Sequence, residues 1–131
     1  MAEINSRTGI SFISAGFPSP SEDYTELSIS LDKHLIHKPA ATFMAYANGN
    51  SMIRVGIYHG DILIVDRSLN AKDGDIIIAL LYGEFTVKQV SIIDDLLFLV
   101  PRNPQYSSVK ITPEMEFEVW GVVTSSIRKH R

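Results

Sequence analysis

Two side chains in this sequence have the types and surroundings for peptide-bond chemistry. Ser51 lies in the turn Gly49-Asn50-Ser51-Met52, and Lys88 lies inside the strand-like run Phe85-Thr86-Val87-Lys88-Gln89-Val90. A serine hydroxyl is a weak nucleophile near neutral pH and needs a base beside it. A lysine amine serves as that base only after losing its charge, and burial among apolar groups favours the neutral form. Gly49 permits a tight backbone, so the amides of Ser51 and Met52 are candidates to hold an oxyanion. A third element, Ala15-Gly16, sits in a Ser-, Gly- and Pro-rich N-terminal stretch and offers a small-residue bond as substrate. Together the three point to a Ser-Lys peptidase that carries its own substrate. Each also has a plainer reading on its own: Lys88 as an exposed lysine on a sheet face, Ser51 as a turn serine, Met52 as core packing.

The elements that must position these groups are mostly strands. Residues 1–23 include Gly16-Phe17-Pro18-Ser19-Pro20-Ser21, and prolines exclude such a stretch from helices and central strands. It is expected to be an extended arm, the form a cleft binds by strand addition. Leu27, Ile29 and Leu31 alternate with polar residues, the period of a half-buried strand. Further strands are expected at Thr42 to Ala47, Ile62 to Val65, Ile76 to Leu81, Phe85 to Val90, Leu96 to Val100 and Phe117 to Val123. Asn48-Gly49, Gly60-Asp61, Asp73-Gly74-Asp75, Tyr82-Gly83-Glu84 and Asp94-Asp95 supply turns between them. Short strands at close spacing imply a sandwich or barrel-like β fold, with at most one helical turn near Ser51. The expected organisation is a flexible arm over residues 1–30 and one catalytic domain over 31–131.

Composition narrows the classes. A chain of 131 residues with 45% apolar residues can build one real core. The net charge of −3 argues against a surface built to grip nucleic acid. The one basic cluster, Ile127-Arg128-Lys129-His130-Arg131, is expected to be a solvated tail. Without cysteine there is no disulfide scaffold, thiol nucleophile or thiolate metal site. No apolar stretch reaches the ~18 residues of a membrane span, and no basic n-region precedes an apolar run as in a secretory signal. A cytoplasmic setting is expected, with no cofactor.

Two histidine patterns compete with the lysine reading. Asp32-x-His34-x-x-His37 would bring its histidines to one helix face for a metal, but Lys38-Pro39 cuts such a helix short and no further ligand cluster accompanies it. A surface loop is the expected state, with no metal. His59 and Asp61 could complete a triad with Ser51. They follow Ser51 closely, and Asp61 reads as a turn residue leading into a strand, so the triad is not the favoured reading.

The ordered motifs resemble the UmuD family, self-cleaving SOS-mutagenesis relatives of the LexA repressor. The likeness runs from Gly16-Phe17-Pro18-Ser19-Pro20 with Asp23-Tyr24, through Gly49-Asn50-Ser51-Met52 and Gly60-Asp61-Ile62-Leu63-Ile64-Val65-Asp66. It continues in Gly74-Asp75-Ile76, Gly83-Glu84-Phe85-Thr86-Val87-Lys88 and Gly121-Val122-Val123. The resemblance implies a mostly β, LexA/signal-peptidase-like barrel-like catalytic domain. It implies Ser51 as nucleophile, Lys88 as general base and Ala15-Gly16 as scissile bond. It also implies a homodimer, cleavage on meeting the RecA filament on single-stranded DNA, and a processed form serving a UmuC-type Y-family polymerase. Arg54 departs from the acidic or small residue common after Ser-Met-x, without touching the dyad. The stretch through Ala15 is too short for the helix-turn-helix domain of a repressor, so sequence-specific DNA binding is not expected. Two alternatives stay open: a soluble LexA-like peptidase acting on other proteins, and a non-catalytic module that binds polymerase and RecA.

Overall fold

The structure is a computed structural model that describes residues 30–131. Ala15 and Gly16, and with them the expected arm, lie outside the described residues. By contacts the chain divides into two units, Met1–His37 and Lys38–Arg131.

In the first unit the described residues form one short helix, α1 (Leu31–Leu35). Ser30 caps it, with its hydroxyl accepting from the Lys33 amide at 3.4 Å, and Asp32 sits in the first turn. Leu31 therefore opens a helix rather than continuing a strand. Its alternation with Leu27 and Ile29 was the wrong guide, because a serine cap and a following aspartate bias the backbone locally toward a helical start.

The second unit holds seven strands: β1 (Thr42–Tyr46), β2 (Ile62–Asp66), β3 (Ile76–Leu81), β4 (Glu84–Ile93), β5 (Leu96–Val100), β6 (Val109–Ile111) and β7 (Phe117–Ile127). They make one sheet in the order β1-β2-β7-β3-β4-β5-β6, and all neighbouring pairs are antiparallel. The fold is thus mostly antiparallel β, as the turn spacing implied. Two hairpins show why. Tyr82 and Gly83 both have positive φ between the paired Leu81 and Glu84, and Asp94 and Asp95 do the same between Ile93 and Leu96. Two-residue turns of this hand match the twist of the flanking strands.

Strand β7 runs four residues beyond the expected Val123, and β6 was not anticipated. β7 lies between β2 and β3 and shifts register against each, between Ile64 and Val65 on one side and between Ile78 and Ala79 on the other. Gly121 sits at this irregularity. A Cβ there would come within 2.5 Å of a Val65 methyl, so only glycine lets the two strands approach so closely.

Alternation in β3 sends its apolar residues to two sides. Ile78 joins Ala47, Met52, Ile57, Leu63 and Val65 in one buried cluster, with Val87 and Trp120 packed against it. Ile77 and Ala79 join Val90, Leu99 and Val122 in a second. Among the described residues, no helix is long and apolar enough to cross a membrane.

Candidate active site

Ser51 lies two residues before a short 3-10 turn, Ile53–Val55, which Met52 leads into and which ends at Gly56 in the left-handed region. The turn carrying it begins at Gly49, whose φ of +91° a residue with a side chain would adopt only under strain. Met52, 2% exposed, anchors the turn in the first cluster, and its carbonyl accepts from the amides of Val55 and Ile57. A strap from the segment that follows β5 holds the same turn. The Ser51 carbonyl accepts from the Arg102 amide at 2.7 Å, and the Asn50 carbonyl accepts from Asn103 Nδ2 at 2.8 Å. Asn103 is buried, and its Oδ1 takes the Gln105 amide, so both ends of the amide are used.

Lys88 comes to this turn from the middle of β4. Its Nζ lies 3.2 Å from Ser51 Oγ across a sequence separation of 37 residues. Nζ also donates to Thr86 Oγ1 at 2.6 Å and to the Val87 carbonyl at 3.1 Å. Thr86 and Lys88 are two apart on one strand and so project from the same side. Desolvation holds the Lys88 ammonium below its usual pKa. Its three recorded contacts are all neutral oxygens. Nothing in that set offsets the loss of hydration as a carboxylate would, so the amine is biased toward its free-base form. Among the described residues, the backbone amides of Ser51 and Met52 donate to no protein acceptor, which leaves both available to an incoming oxygen.

Both groups line a cleft of about 570 Å³. Its walls include Ala45 and Tyr46 from the edge strand β1, Asn48 to Met52 from the serine turn, Thr86 and Val87 beside the lysine, and Phe85 and Trp120 as an aromatic wall. Phe85 and Phe43 each meet Trp120 edge to face, at centroid distances of 5.8 and 5.5 Å. Arg67 stacks on the Trp120 ring at 4.4 Å and donates Nε to the Trp120 carbonyl, which fixes the indole. Among the described residues β1 pairs along one edge only, and a cleft bordered by such an edge suits an extended peptide.

The other sequence candidates fall elsewhere. His59 Nδ1 accepts from the Gly49 amide at 2.9 Å, and Asp61 is bound by Arg128 and by the Tyr58 amide. No Ser-His-Asp chain of hydrogen bonds joins them to Ser51. Among the described residues no group of three or more acidic, histidine or cysteine side chains could hold a metal. His34 lies within α1 rather than in a loop, and His37 lies after it. Arg54 is exposed, and its amide donates to the Arg102 carbonyl. Arg128 corrects the solvated-tail expectation. Its guanidinium meets Asp61 at 2.9 and 3.0 Å, donates to the Gly56 carbonyl at 2.8 Å and stacks on Tyr58 at 4.0 Å. Sequence reasoning passed over Thr86, although its position two residues before Lys88 was the available signal. It also missed the Arg102–Asn103 strap, which no local pattern announces.

An antiparallel β domain with a serine and a lysine facing each other in a peptide-sized cleft has the build of a peptidase domain. The comparison with protein families agrees: residues 9–124 match the model described as "Peptidase S24-like", and the chain belongs to that family. Within it the chain is of the UmuD type that its motifs resemble. It is 44% identical over 117 residues to Protein SamA of Salmonella typhimurium, covering 89% of this chain and 81% of SamA. It is 40% identical over 119 residues to Protein MucA of Escherichia coli, covering 90% and 81%. It is 32% identical over 119 residues to the LexA repressor of Stenotrophomonas maltophilia, covering 91% of this chain and 56% of that repressor.

Proposed function

We propose that this chain is a self-cleaving serine peptidase in which Ser51 attacks the Ala15 carbonyl and Lys88 is the general base. The observation that carries this reading is the 3.2 Å approach of Lys88 Nζ to Ser51 Oγ inside the cleft, with neutral contacts and desolvation lowering the affinity of the amine for its proton. In the first step neutral Lys88 takes the Ser51 proton as Oγ bonds to the Ala15 carbonyl carbon. The carbonyl oxygen becomes an oxyanion held by the Ser51 and Met52 amides. As the Ala15–Gly16 bond breaks, protonated Lys88 gives its proton to the Gly16 nitrogen. Water, deprotonated by Lys88, then hydrolyses the ester on Ser51. The products are the peptide ending at Ala15 and a chain beginning at Gly16. Thr86 Oγ1 and the Val87 carbonyl hold Nζ in place through this cycle.

The substrate is the chain's own N-terminal arm, residues 1–30, presented along the β1 edge, and the catalytic domain is residues 31–131. The setting is the SOS response in the cytoplasm. Contact with the RecA filament on single-stranded DNA promotes the cut. The trimmed protein, a homodimer, then serves as accessory subunit to a UmuC-type Y-family translesion polymerase. Support for this setting comes from the family membership and from the similarity to SamA, MucA and LexA.

The test is intact mass of purified protein, incubated alone at rising pH and with RecA, an ATP analogue and single-stranded DNA. Loss of the segment ending at Ala15 in wild type, and not in Ser51→Ala or Lys88→Ala, is the expected result. A wild type that stays uncut under every condition sinks the self-cleavage reading and favours a binding module.

A further inference from the structure

The hydrogen bond between Gly49 and His59 has a use that the two-residue dyad leaves unexplained. Three ties fix the turn that presents Ser51: the Arg102 amide to the Ser51 carbonyl, Asn103 Nδ2 to the Asn50 carbonyl, and the Gly49 amide to His59 Nδ1 at 2.9 Å. Of the three, the third alone has a side-chain acceptor. An imidazole accepts at Nδ1 only while that nitrogen is unprotonated, since both nitrogens of the imidazolium are donors.

The turn that carries His59 is itself rigid. Gly60 donates its amide to the Ala47 carbonyl at 2.8 Å, and Ala47 donates back to the Asp61 carbonyl at 2.9 Å. Asp61, 3% exposed, binds the Tyr58 amide and the Arg128 guanidinium. The imidazole is thus held against Gly49 by a clamped loop. Its recess is lined by Tyr58 and Asp61 from its own loop, Tyr46 from β1, and Arg128 and Lys129 from the end of β7. The Asp61 carboxylate is already committed to Arg128 and to Tyr58, and the remaining charges in the recess are cationic.

We infer that His59 is a positioning residue for the Ser51 nucleophile: its Nδ1 locks the Gly49–Ser51 turn by accepting from the Gly49 amide. This rests on Ser51 and Lys88 acting as proposed above. Losing the acceptor loosens the turn and slows self-cleavage, and an acceptor restored at the same place brings the rate back.

The experiment compares full-length wild type, His59→Asn, His59→Ala and Ser51→Ala. Asn Oδ1 takes the place of Nδ1 as an acceptor. Self-cleavage rates are measured by intact mass at one fixed pH at which wild type cleaves. Thermal midpoints confirm that each variant folds. His59→Ala is expected to cleave about three- to tenfold more slowly than wild type, the factor one hydrogen bond represents, and His59→Asn is expected to regain most of that rate. Separately, the Gly49 amide resonance in Ser51→Ala protein should move when His59→Ala is added and return toward its original position with His59→Asn instead. A His59→Ala rate equal to wild type, no recovery in His59→Asn, or a Gly49 amide indifferent to His59→Ala overturns the inference. Cleavage by Ser51→Ala would instead overturn the dyad, while the Gly49 resonance still reports on the hydrogen bond alone. Inactive Ser51→Ala together with unaffected His59 variants would remove only the role of His59.

Discussion

Two charged groups in this domain have pKa values below their ordinary ranges for opposite reasons. Lys88 loses affinity for its proton because desolvation penalises the ammonium, and its neighbours Ser51, Thr86 and Val87 offer only neutral oxygens. Asp61 holds its proton weakly chiefly because Arg128 hydrogen-bonds the carboxylate, with the Tyr58 amide adding to it against the effect of burial. The charge on Asp61 is what its surroundings favour, whereas the charge on Lys88 is what its surroundings resist. A matched charge stabilises the fold, and an unmatched one costs stability while making a base. The Asp61 region reads as a fastener, and the Lys88 region as the place where the proposed base is held at the expense of stability.

The sharpest way to break this contrast is to remove one group from each region. Ser51→Ala or Lys88→Ala should lower self-cleavage by roughly 10³-fold or more, because a nucleophile and its base act as a unit. Asp61→Asn should leave cleavage measurable at temperatures where the fold survives. Intact mass over time separates the two, and an Asp61→Asn protein that is folded yet as inert as Ser51→Ala would erase the distinction. Next in size is the pH response. Below the lowered pKa of Lys88, each unit of rising pH should raise the cleavage rate about tenfold as the free base becomes populated. A flat profile would mean that Lys88 is not the titrating base.

Stability supplies the smaller tests, with opposite signs. Asp61→Asn should lower the thermal midpoint by roughly 5–10 °C near neutral pH. Because the folded pKa of Asp61 is depressed, its stabilisation is present above the unfolded carboxylate value of about 3.9 and fades as pH falls through the folded value. The gap between wild type and variant should therefore close in acid. Lys88→Met should do the reverse and stabilise by about 1 kcal/mol in urea unfolding, since it removes a poorly solvated ammonium. The unfolded chain holds the lysine proton more tightly, so wild-type stability should rise with pH up to the unfolded value of about 10.4, and the advantage of methionine should shrink over that interval. A destabilised Lys88→Met would show that the lysine is structural after all.

Much of this was legible in the chain. The strands announced themselves where apolar runs were bounded by turn residues, as at Ile76 to Leu81 between Asp73-Gly74-Asp75 and Tyr82-Gly83. The serine and lysine were legible because each sits in a motif that restricts its backbone. What was hidden depended on partners distant in sequence or on segments too short to show a period. Arg128 looked like tail because Asp61, its partner, lies 67 residues earlier. Val109 to Ile111 is too brief to display alternation, and it forms a strand only because β5 offers a partner. Thr124-Ser125-Ser126-Ile127 reads as loop in isolation, yet β2 extends it as strand. The partial burial of Lys88, on which its proposed chemistry depends, is a tertiary outcome that no local pattern encodes.

The order of the strands also has a consequence for assembly. β7, the last of the described strands in sequence, occupies the middle of the sheet, and Trp120 on it forms part of the cleft wall. Without residues 117–127 the backbone ladder that links β1–β2 to β3–β6 is missing, and what ties the two ribbons is the Arg102–Asn103 strap and packing on Ile78. The serine turn packs on residues of the first ribbon and on Ile78 of the second, and the lysine belongs to the second. β7 is therefore a spacer, paired on both edges, whose width sets how far the Ser51 turn stands from the strand that carries Lys88.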